Sequence, residues 1–214
     1  MSIVNEWNGI VNSNIVKLIQ SIPREPRRDE VFSISNCLGL KLSYYKSGTS
    51  RHIIDIVDTG YCIKLAYHFG GIVQNKAECD FSFKSFDMLY NLPLVWNDSY
   101  SAILAPKLKT FSDEDPEEVF SRIFNMTAQE LYDYVQILQL NLKEDTSFYC
   151  NKITKIGSEF VSSWLKLHTD INSTLYNSEL PGDYAKSDTY GITETGVVKI
   201  IDFGNSDLYF KLTK

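Results

Sequence analysis

The stretch SGTSRHIIDIVDTGYCIKLAYHFGGIVQNKAE, residues 47–78, holds the pattern that decides the fold. Most of it consists of short apolar runs, rich in β-branched residues, that glycines interrupt. Such runs predict antiparallel strands joined by tight turns, here near residues 47–49 and 58–60. The same texture covers residues 31–67, so we expect three to five strands over that range.

Helices are predicted on both sides of these strands. Apolar residues at helical spacing indicate a helix over residues 10–22, which Pro23 ends, and the proline- and arginine-rich residues up to Arg28 indicate a linker. After the strands, residues 75–92 are expected to be helical. One face of that helix carries the apolar residues Ala77, Phe81, Met88 and Leu92.

The second half of the chain is predicted to be mostly helical. A short strand is expected over residues 100–106. The Asp-Pro-Glu-Glu sequence at 115–118 starts one helix, because Asp caps it and Pro fits its first turn. The capping box at 127–130 starts a second helix, which runs to about residue 143, and a third is indicated over residues 158–168.

Strands that come first and helices that come later imply an α+β fold with a sheet lobe and a helical lobe. We expect residues 1–30 to form the N-terminal helix and linker, residues 31–108 the sheet lobe, and residues 109–214 the helical lobe.

The composition is that of an ordinary globular protein, with 43% hydrophobic and 22% charged residues and a formal net charge of −6. Because the charge is negative, neither nucleic acid nor an anionic membrane is expected as a partner. The four cysteines are scattered without a Cys-x-x-Cys pair, no signal peptide is recognisable, and no apolar stretch reaches the length of a membrane span. We therefore expect a cytoplasmic protein.

Lys64 is the first candidate for chemistry, because it interrupts the otherwise apolar strand at residues 61–66. An ammonium group that faces inward is costly to bury unless it meets an anion. Glu78, 14 residues later on the predicted helix, either pairs with Lys64 or is an exposed helix carboxylate. Ahead of the strand, the backbone N–H groups of the turn at residues 46–51 are suited to cover a phosphate.

The end of the chain holds a second group of candidates. Residues 190–192 and 197–201 are predicted to form a β-hairpin, and its second strand leads into the Asp-Phe-Gly sequence that begins at Asp202. A carboxylate at the rim of a sheet suits magnesium, which prefers oxygen ligands. Taken alone, the same residues also fit an ordinary strand-to-turn junction. Asp183 lies 19 residues earlier in the chain.

In sequence order, the chain has a glycine turn, a strand lysine, a helix glutamate, an aspartate, a hairpin and Asp-Phe-Gly. This series resembles the signature set of the protein kinases. Residues 47–78 and the stretch DTYGITETGVVKIIDFG, residues 188–204, are similar to short bacteriophage-type kinase-like proteins. The resemblance covers residues 31–204. It implies a bilobal protein-kinase-like fold with an antiparallel N-lobe sheet and a minimal, mostly helical C-lobe.

The resemblance also implies roles for individual residues. Lys64 would contact the α- and β-phosphates of ATP, and Glu78 would hold Lys64 in place. Asp183 would accept the proton of an attacking hydroxyl, and Asp202 would hold Mg²⁺. A reduced phosphate-covering loop would be formed by Gly48, Thr49 and Ser50.

The chain departs from the kinase pattern in several ways. Its loop lacks the usual three glycines, and Pro-Gly replaces the His-Arg that usually precedes the catalytic aspartate, here Asp183. The Asn that serves as second metal ligand is absent. Counting from Asp183 puts Asp188 in its place, whereas counting back from the hairpin glycine puts Thr189 there, so both remain candidates. Ten residues follow the Asp-Phe-Gly sequence, and no activation segment is expected among them.

Three functions are compatible with these residues. The first is a minimal kinase-like phosphotransferase that moves the γ-phosphoryl group of ATP to a protein or small-molecule hydroxyl. The second is a pseudokinase-type module that binds a host or viral protein partner without phosphoryl transfer. The third, a structural or virion-associated α+β protein, is the least favoured because it makes the matched spacings a coincidence.

Overall fold

The structure is a computed structural model that describes residues 11–48, 50–82, 93–110, 116–139, 142–172, 190–193 and 198–201. The chain forms two units, residues 1–85 with 91–107 and residues 86–90 with 108–214. The elements described in the first unit are α1 (Ser13–Ser21), α2 (Arg28–Cys37), β1 (Leu42–Ser47), β2 (Arg51–Ile56), β3 (Tyr61–Ala66), α3 (Phe69–Ser82), β4 (Val95–Trp96) and β5 (Ala102–Pro106).

The strands of the first unit form one five-stranded sheet in the order β1-β2-β3-β5-β4, and every neighbouring pair is antiparallel. Three strands lie ahead of residue 67, within the predicted range of three to five, and the turns between them lie near the predicted positions. In the turn before β3, Asp58 and Gly60 have positive φ angles of 63° and 70°. Asn, Asp and Gly tolerate this left-handed conformation best, which is why the Asp-Thr-Gly sequence marks the turn.

Helices α1 and α2 pack on one face of this sheet. Their apolar residues share a single hydrophobic core with alternate residues of β2, β3 and β5. That core includes Ile15, Leu18, Ile19, Val31, Ile54, Ile56, Ile63, Leu65, Ala102 and Leu104. Because successive strand residues point to opposite faces, Cys62 and Lys64 lie on the other face of β3.

Helix α2 corrects the prediction that strands begin at Val31. Residues 28–37 are helical, and Arg28 is the first helical residue rather than the end of a linker. Asp29 and Glu30 lie in the first turn, where acidic side chains favour a helix through its dipole. Val31 and Ser35, one turn apart, are the buried positions of the helix.

Helix α3 begins at Phe69, six residues before the predicted start at Asn75. The first turn contains two consecutive glycines, which have low helix propensity, so the sequence does not indicate a helix start there. Gly71 is required by packing: a Cβ there would lie 2.3 Å from the carbonyl oxygen of Ser50 and 2.9 Å from the Cβ of Ala66. Residues 83–92 of the predicted helix lie outside the described residues.

The elements described in the second unit are β6 (Lys109–Thr110), α4 (Pro116–Phe124), α5 (Ala128–Gln139), α6 (Ser147–Lys152), α7 (Lys155–Asn172), β7 (Tyr190–Ile192) and β8 (Val198–Ile200). The three strands form an antiparallel sheet in the order β6-β7-β8, which confirms the predicted hairpin. The rings of Phe120, Phe124, Phe160 and Tyr190 contact one another with centroids 5.3 to 6.1 Å apart. This aromatic cluster joins α4 and α7 to β7.

The predicted starts of α4 and α5 are confirmed, whereas α7 begins at Lys155, three residues before the predicted start at Ser158. Helix α4 begins at Pro116. Ahead of α5, the backbone N–H of Thr127 donates to Glu130 Oε2 at 2.8 Å, and the N–H of Glu130 donates to Thr127 Oγ1 at 3.1 Å, which is the reciprocal pattern of a capping box. Together with the first unit, these helices and sheets confirm the α+β class. None of the helices in the described part of the chain is both long and apolar enough to cross a membrane.

Candidate functional site

Lys64 lies on β3, the middle strand of the five-stranded sheet. Its register partners are Ile53 on β2 and Ile103 on β5, so apolar residues flank it on both sides. Only 4% of the residue is exposed. A buried ammonium group in this position has to be compensated by a nearby anion.

Glu78 of α3 supplies an anion for Lys64. The Lys64 Nζ donates to Glu78 Oε2 at 2.7 Å, and only 6% and 7% of the two side chains are exposed. The structure therefore contains the ion pair that the sequence suggested, and it excludes the interpretation of Glu78 as an exposed helix carboxylate. The pair links the central strand to the helix that follows it.

Arg51 is a second cation at the same carboxylate, and it is not among the site residues predicted from the sequence. Its Nη1 donates to Glu78 Oε1 at 2.6 Å and to Asn75 Oδ1 at 3.2 Å, and the residue is 5% exposed. Glu78 thus accepts from a different cation on each of its two oxygens. The register between β2 and β3 would have indicated this position. Arg51 pairs with Ala66, which is on the same face of β3 as Lys64.

Asn75 completes the polar cluster, one helical turn before Glu78. It is fully buried, and its Nδ2 donates to the carbonyl oxygens of Lys64 at 3.2 Å and of Tyr100 at 2.8 Å. The amide therefore uses its acceptor for Arg51 and its donors for the backbone of β3 and of the residues just ahead of β5. Because buried polar groups are costly unless they are satisfied, this arrangement fixes α3 against the sheet.

The turn between β1 and β2 is held by the elements around it. The N–H of Gly48 donates to the carbonyl oxygen of Arg51 at 2.9 Å, and the hydroxyl of Tyr67 donates to the carbonyl oxygen of Gly48 at 2.8 Å. Ser50 is buried and its hydroxyl donates to Gln74 Oε1 of α3 at 2.9 Å. Thr49, the middle residue of the predicted phosphate-covering loop, lies outside the described residues.

Cys62 lies two residues before Lys64 on the same face of β3 and is buried. Burial raises the pKa of its thiol to about 11, and the charge of Lys64 opposes that shift without cancelling it. The thiol is therefore neutral at physiological pH, which makes Cys62 a small packing residue rather than a nucleophile.

The remaining predicted site residues are Asp183, Asp188 with its alternative Thr189, and Asp202, and all of them lie outside the described residues. Within the described ranges, no group of three or more His, Cys, Asp or Glu side chains is arranged to hold a metal ion. The predicted roles of these residues in magnesium binding and proton transfer therefore stay predictions.

No family model and no curated protein matches the chain. Among solved structures, the chain is similar to the crystal structure of choline kinase LicA from Streptococcus pneumoniae, with a TM-score of 0.36 and 10% sequence identity. The match covers 81% of this chain and 66% of that one, which is less than two thirds of the length of the choline kinase. A likeness of this strength does not establish a function.

Proposed function

We propose that this chain is a kinase-like phosphotransferase whose first unit binds the phosphates of ATP through Lys64. The observation that carries the proposal is the buried ion pair of 2.7 Å between Lys64 on the central strand and Glu78 on the following helix. In protein kinases, a strand lysine contacts the phosphates of ATP and a helix glutamate pairs with that lysine.

A contribution to stability does not by itself explain why the chain contains a buried ion pair. Replacing a buried ion pair by well-packed apolar residues is often neutral or stabilising, because removing two charges from water is expensive. A lysine held at one point by a carboxylate is, in contrast, well suited to meet a second anion. The turn between β1 and β2 ends at Arg51, the first residue of β2. Strand β2 is hydrogen-bonded to β3, which carries Lys64.

The residues proposed for the transfer step rest on the resemblance to kinases. Asp183 is proposed to accept the proton of the attacking hydroxyl, on a protein or a small molecule. Asp202, together with Asp188 or Thr189, is proposed to hold magnesium, which would neutralise phosphate charge.

A pseudokinase-type module that binds a protein partner is the second candidate. One observation favours it: both oxygens of Glu78 accept hydrogen bonds from cations of the chain itself, so the charges of the cluster compensate one another within the first unit. The N–H of Gly48 also has an acceptor within its own turn. A host or viral partner would then take the place of the phosphate acceptor.

Thermal unfolding with and without Mg²⁺ and ATP tests nucleotide binding. At 100 times the dissociation constant, ATP should raise the melting temperature of the wild type by about 5 °C or more. Lys64→Met should lose most of this shift while remaining folded, because Glu78 keeps its bond to Arg51. Lys107→Met is the matched control: Lys107 directly follows β5, and the substitution removes a more exposed cation, whose Nζ lies 2.6 Å from Asp55 Oδ2.

Two results would count against the proposal. A wild-type melting temperature that ATP leaves unchanged would favour the partner-binding module. An ATP-dependent shift that persists in Lys64→Met would place the nucleotide elsewhere.

A further inference from the structure

Arg51 has no counterpart in the kinase-derived expectations. We propose that it is a positioning residue, which joins the turn before β2 to helix α3 through Glu78 and thereby fixes the ammonium of Lys64 for phosphate binding. The inference rests on the proposed function, because the phosphate-binding part of it requires that Lys64 meets a nucleotide.

The geometry of the shared carboxylate is the first support. Arg51 donates to Glu78 Oε1 at 2.6 Å and Lys64 donates to Oε2 at 2.7 Å. A carboxylate with one cationic partner can rotate about its side-chain bonds, whereas one that is held on both oxygens from two different strands has a fixed plane. Arg51 therefore determines where the oxygen that receives Lys64 is placed.

The guanidinium is also held by the helix, independently of Glu78. Arg51 donates to Asn75 Oδ1 at 3.2 Å, and Asn75 in turn donates to the backbone carbonyl of Lys64 at 3.2 Å. Arg51, Asn75 and Glu78 are each less than 7% exposed. Charge-assisted hydrogen bonds in such a dry environment are stronger than neutral ones and costly to break.

The same residue anchors the turn. The carbonyl oxygen of Arg51 accepts the N–H of Gly48, and the adjacent Ser50 donates to Gln74 of α3 at 2.9 Å. Gln74 and Glu78 are one helical turn apart, so the turn is fixed to the same side of α3 at two points. A displacement of the turn or of the helix therefore has to break bonds at both.

A purely structural arginine and a positioning arginine differ in a measurable way. If Arg51 only supported packing, its replacement would weaken every ligand of the unit together or none of them. If it positions Lys64, its replacement weakens ligands that carry phosphates and spares the nucleoside, because adenosine has no group for Lys64 to contact.

Isothermal titration of the full chain with ATP, ADP and adenosine makes this comparison. Arg51→Met should lower the affinity for ATP about tenfold, as expected for the loss of a charged hydrogen bond, and leave the affinity for adenosine unchanged. Arg51→Lys retains a cation near Glu78 and should recover part of the loss. If Arg51→Met fails to fold, the affinities of Arg51→Lys for ATP and adenosine provide the same comparison. Lys107→Met serves as the control and should behave as the wild type.

Three outcomes would overturn the inference. Equal affinity of Arg51→Met and wild type for ATP would refute it and leave the proposed function intact. A parallel loss of ATP and adenosine binding would show that Arg51 only supports the fold. A wild type that binds no ATP would refute the proposed function, and with it the phosphate-binding part of the inference.

Hydrogen exchange without nucleotide tests the connection between turn and helix by itself. In Arg51→Met, the backbone amides of residues 73–80 should exchange about tenfold faster than in the wild type, since each loss of 1.4 kcal/mol in local stability corresponds to that factor. An unchanged exchange rate over those residues would show that Arg51 does not hold α3 in place.

Discussion

Glu130 connects the start of α5 to the end of α6 in the second unit. Its two oxygens accept the Lys152 ammonium at 2.7 and 2.6 Å, and Oε2 also accepts the N–H of Thr127. The hydrogen bonds from Lys152 and then from Thr127 lower the pKa of Glu130 below its ordinary value of 4.5. The folded state therefore favours the charged carboxylate more than the unfolded state does.

The lowered pKa of Glu130 determines how the stability of the folded state changes with pH. The stabilisation is complete above the unfolded pKa of 4.5 and is lost as the pH falls through the lower folded value. Glu130→Gln should thus be less stable than the wild type at neutral pH, and the difference should shrink below pH 4.5. Urea unfolding across this range measures it. A difference that stays constant with pH would contradict the expectation.

Glu159→Gln is the matched control for this experiment. Glu159 forms an ion pair with Lys155 at 3.7 Å, with 56% of its side chain exposed. Exposed pairs of this kind contribute little to stability, so the free energy of unfolding should barely change.

Among single residues, Lys64 could be predicted from the sequence and Arg51 could not. A lysine within an apolar strand is conspicuous, and its need for an anion made Glu78 a candidate partner, although an exposed helix carboxylate also fitted the sequence. Arg51 is at the edge of a polar turn, where a charged residue is usually solvated. Only the register that pairs Arg51 with Ala66 shows that it faces inward. Register depends on the whole hairpin, so no local pattern reveals it.

At the scale of elements, the position of α3 depends on how closely its first turn approaches the sheet. In most helix interiors, replacing Gly by Ala gains up to about 1 kcal/mol. At Gly71 the added Cβ would meet a backbone oxygen at 2.3 Å, which has no freedom to rotate away. Gly71→Ala should therefore destabilise the protein by about 1–3 kcal/mol, as measured by urea unfolding.

Gly48→Ala provides the comparison for Gly71→Ala. Its nearest neighbour beyond the adjacent residues would be the carbonyl oxygen of Arg51 at 3.6 Å, an ordinary contact. Its free energy of unfolding should stay within about 0.5 kcal/mol of the wild type. Equal stability of both variants would mean that α3 can shift away from the sheet at little cost.

The elements that the sequence predicted well are those with a strong local signal. The strands from residue 42 to 66 are separated by turns that contain glycine, and capping sequences mark the starts of α4 and α5. Helix α2 was missed because its buried residues are few and Val31 and Ser33 also fit a strand pattern. Helix α6 was missed because its six residues are too short to show a helical period.

At the scale of the whole molecule, phosphoryl transfer separates an enzyme from a binding module. Incubation with γ-labelled ATP, alone and with a bacterial lysate as a source of acceptors, should transfer label. Asp183→Ala should reduce transfer by about 10²–10⁴-fold, the usual contribution of a general base. Asp145→Ala removes another carboxylate of the second unit, one that accepts bonds from Ser147, and should leave transfer unchanged.

Binding of ATP without any transfer of label would favour the pseudokinase-type module over the enzyme. Equal transfer by Asp183→Ala and the wild type would show that another group accepts the proton.

Helices α1 and α2 share their hydrophobic core with the sheet, and this restricts how far the protein can be trimmed. A shortened chain that started at Lys41 would leave Ile54, Ile56 and Ile63 facing water, although each is at most 1% exposed in the intact protein. Such a fragment would expose a large apolar surface and tend to self-associate. The residues of α1 and α2 are therefore not dispensable, and a fragment that stays monomeric in solution has to retain them.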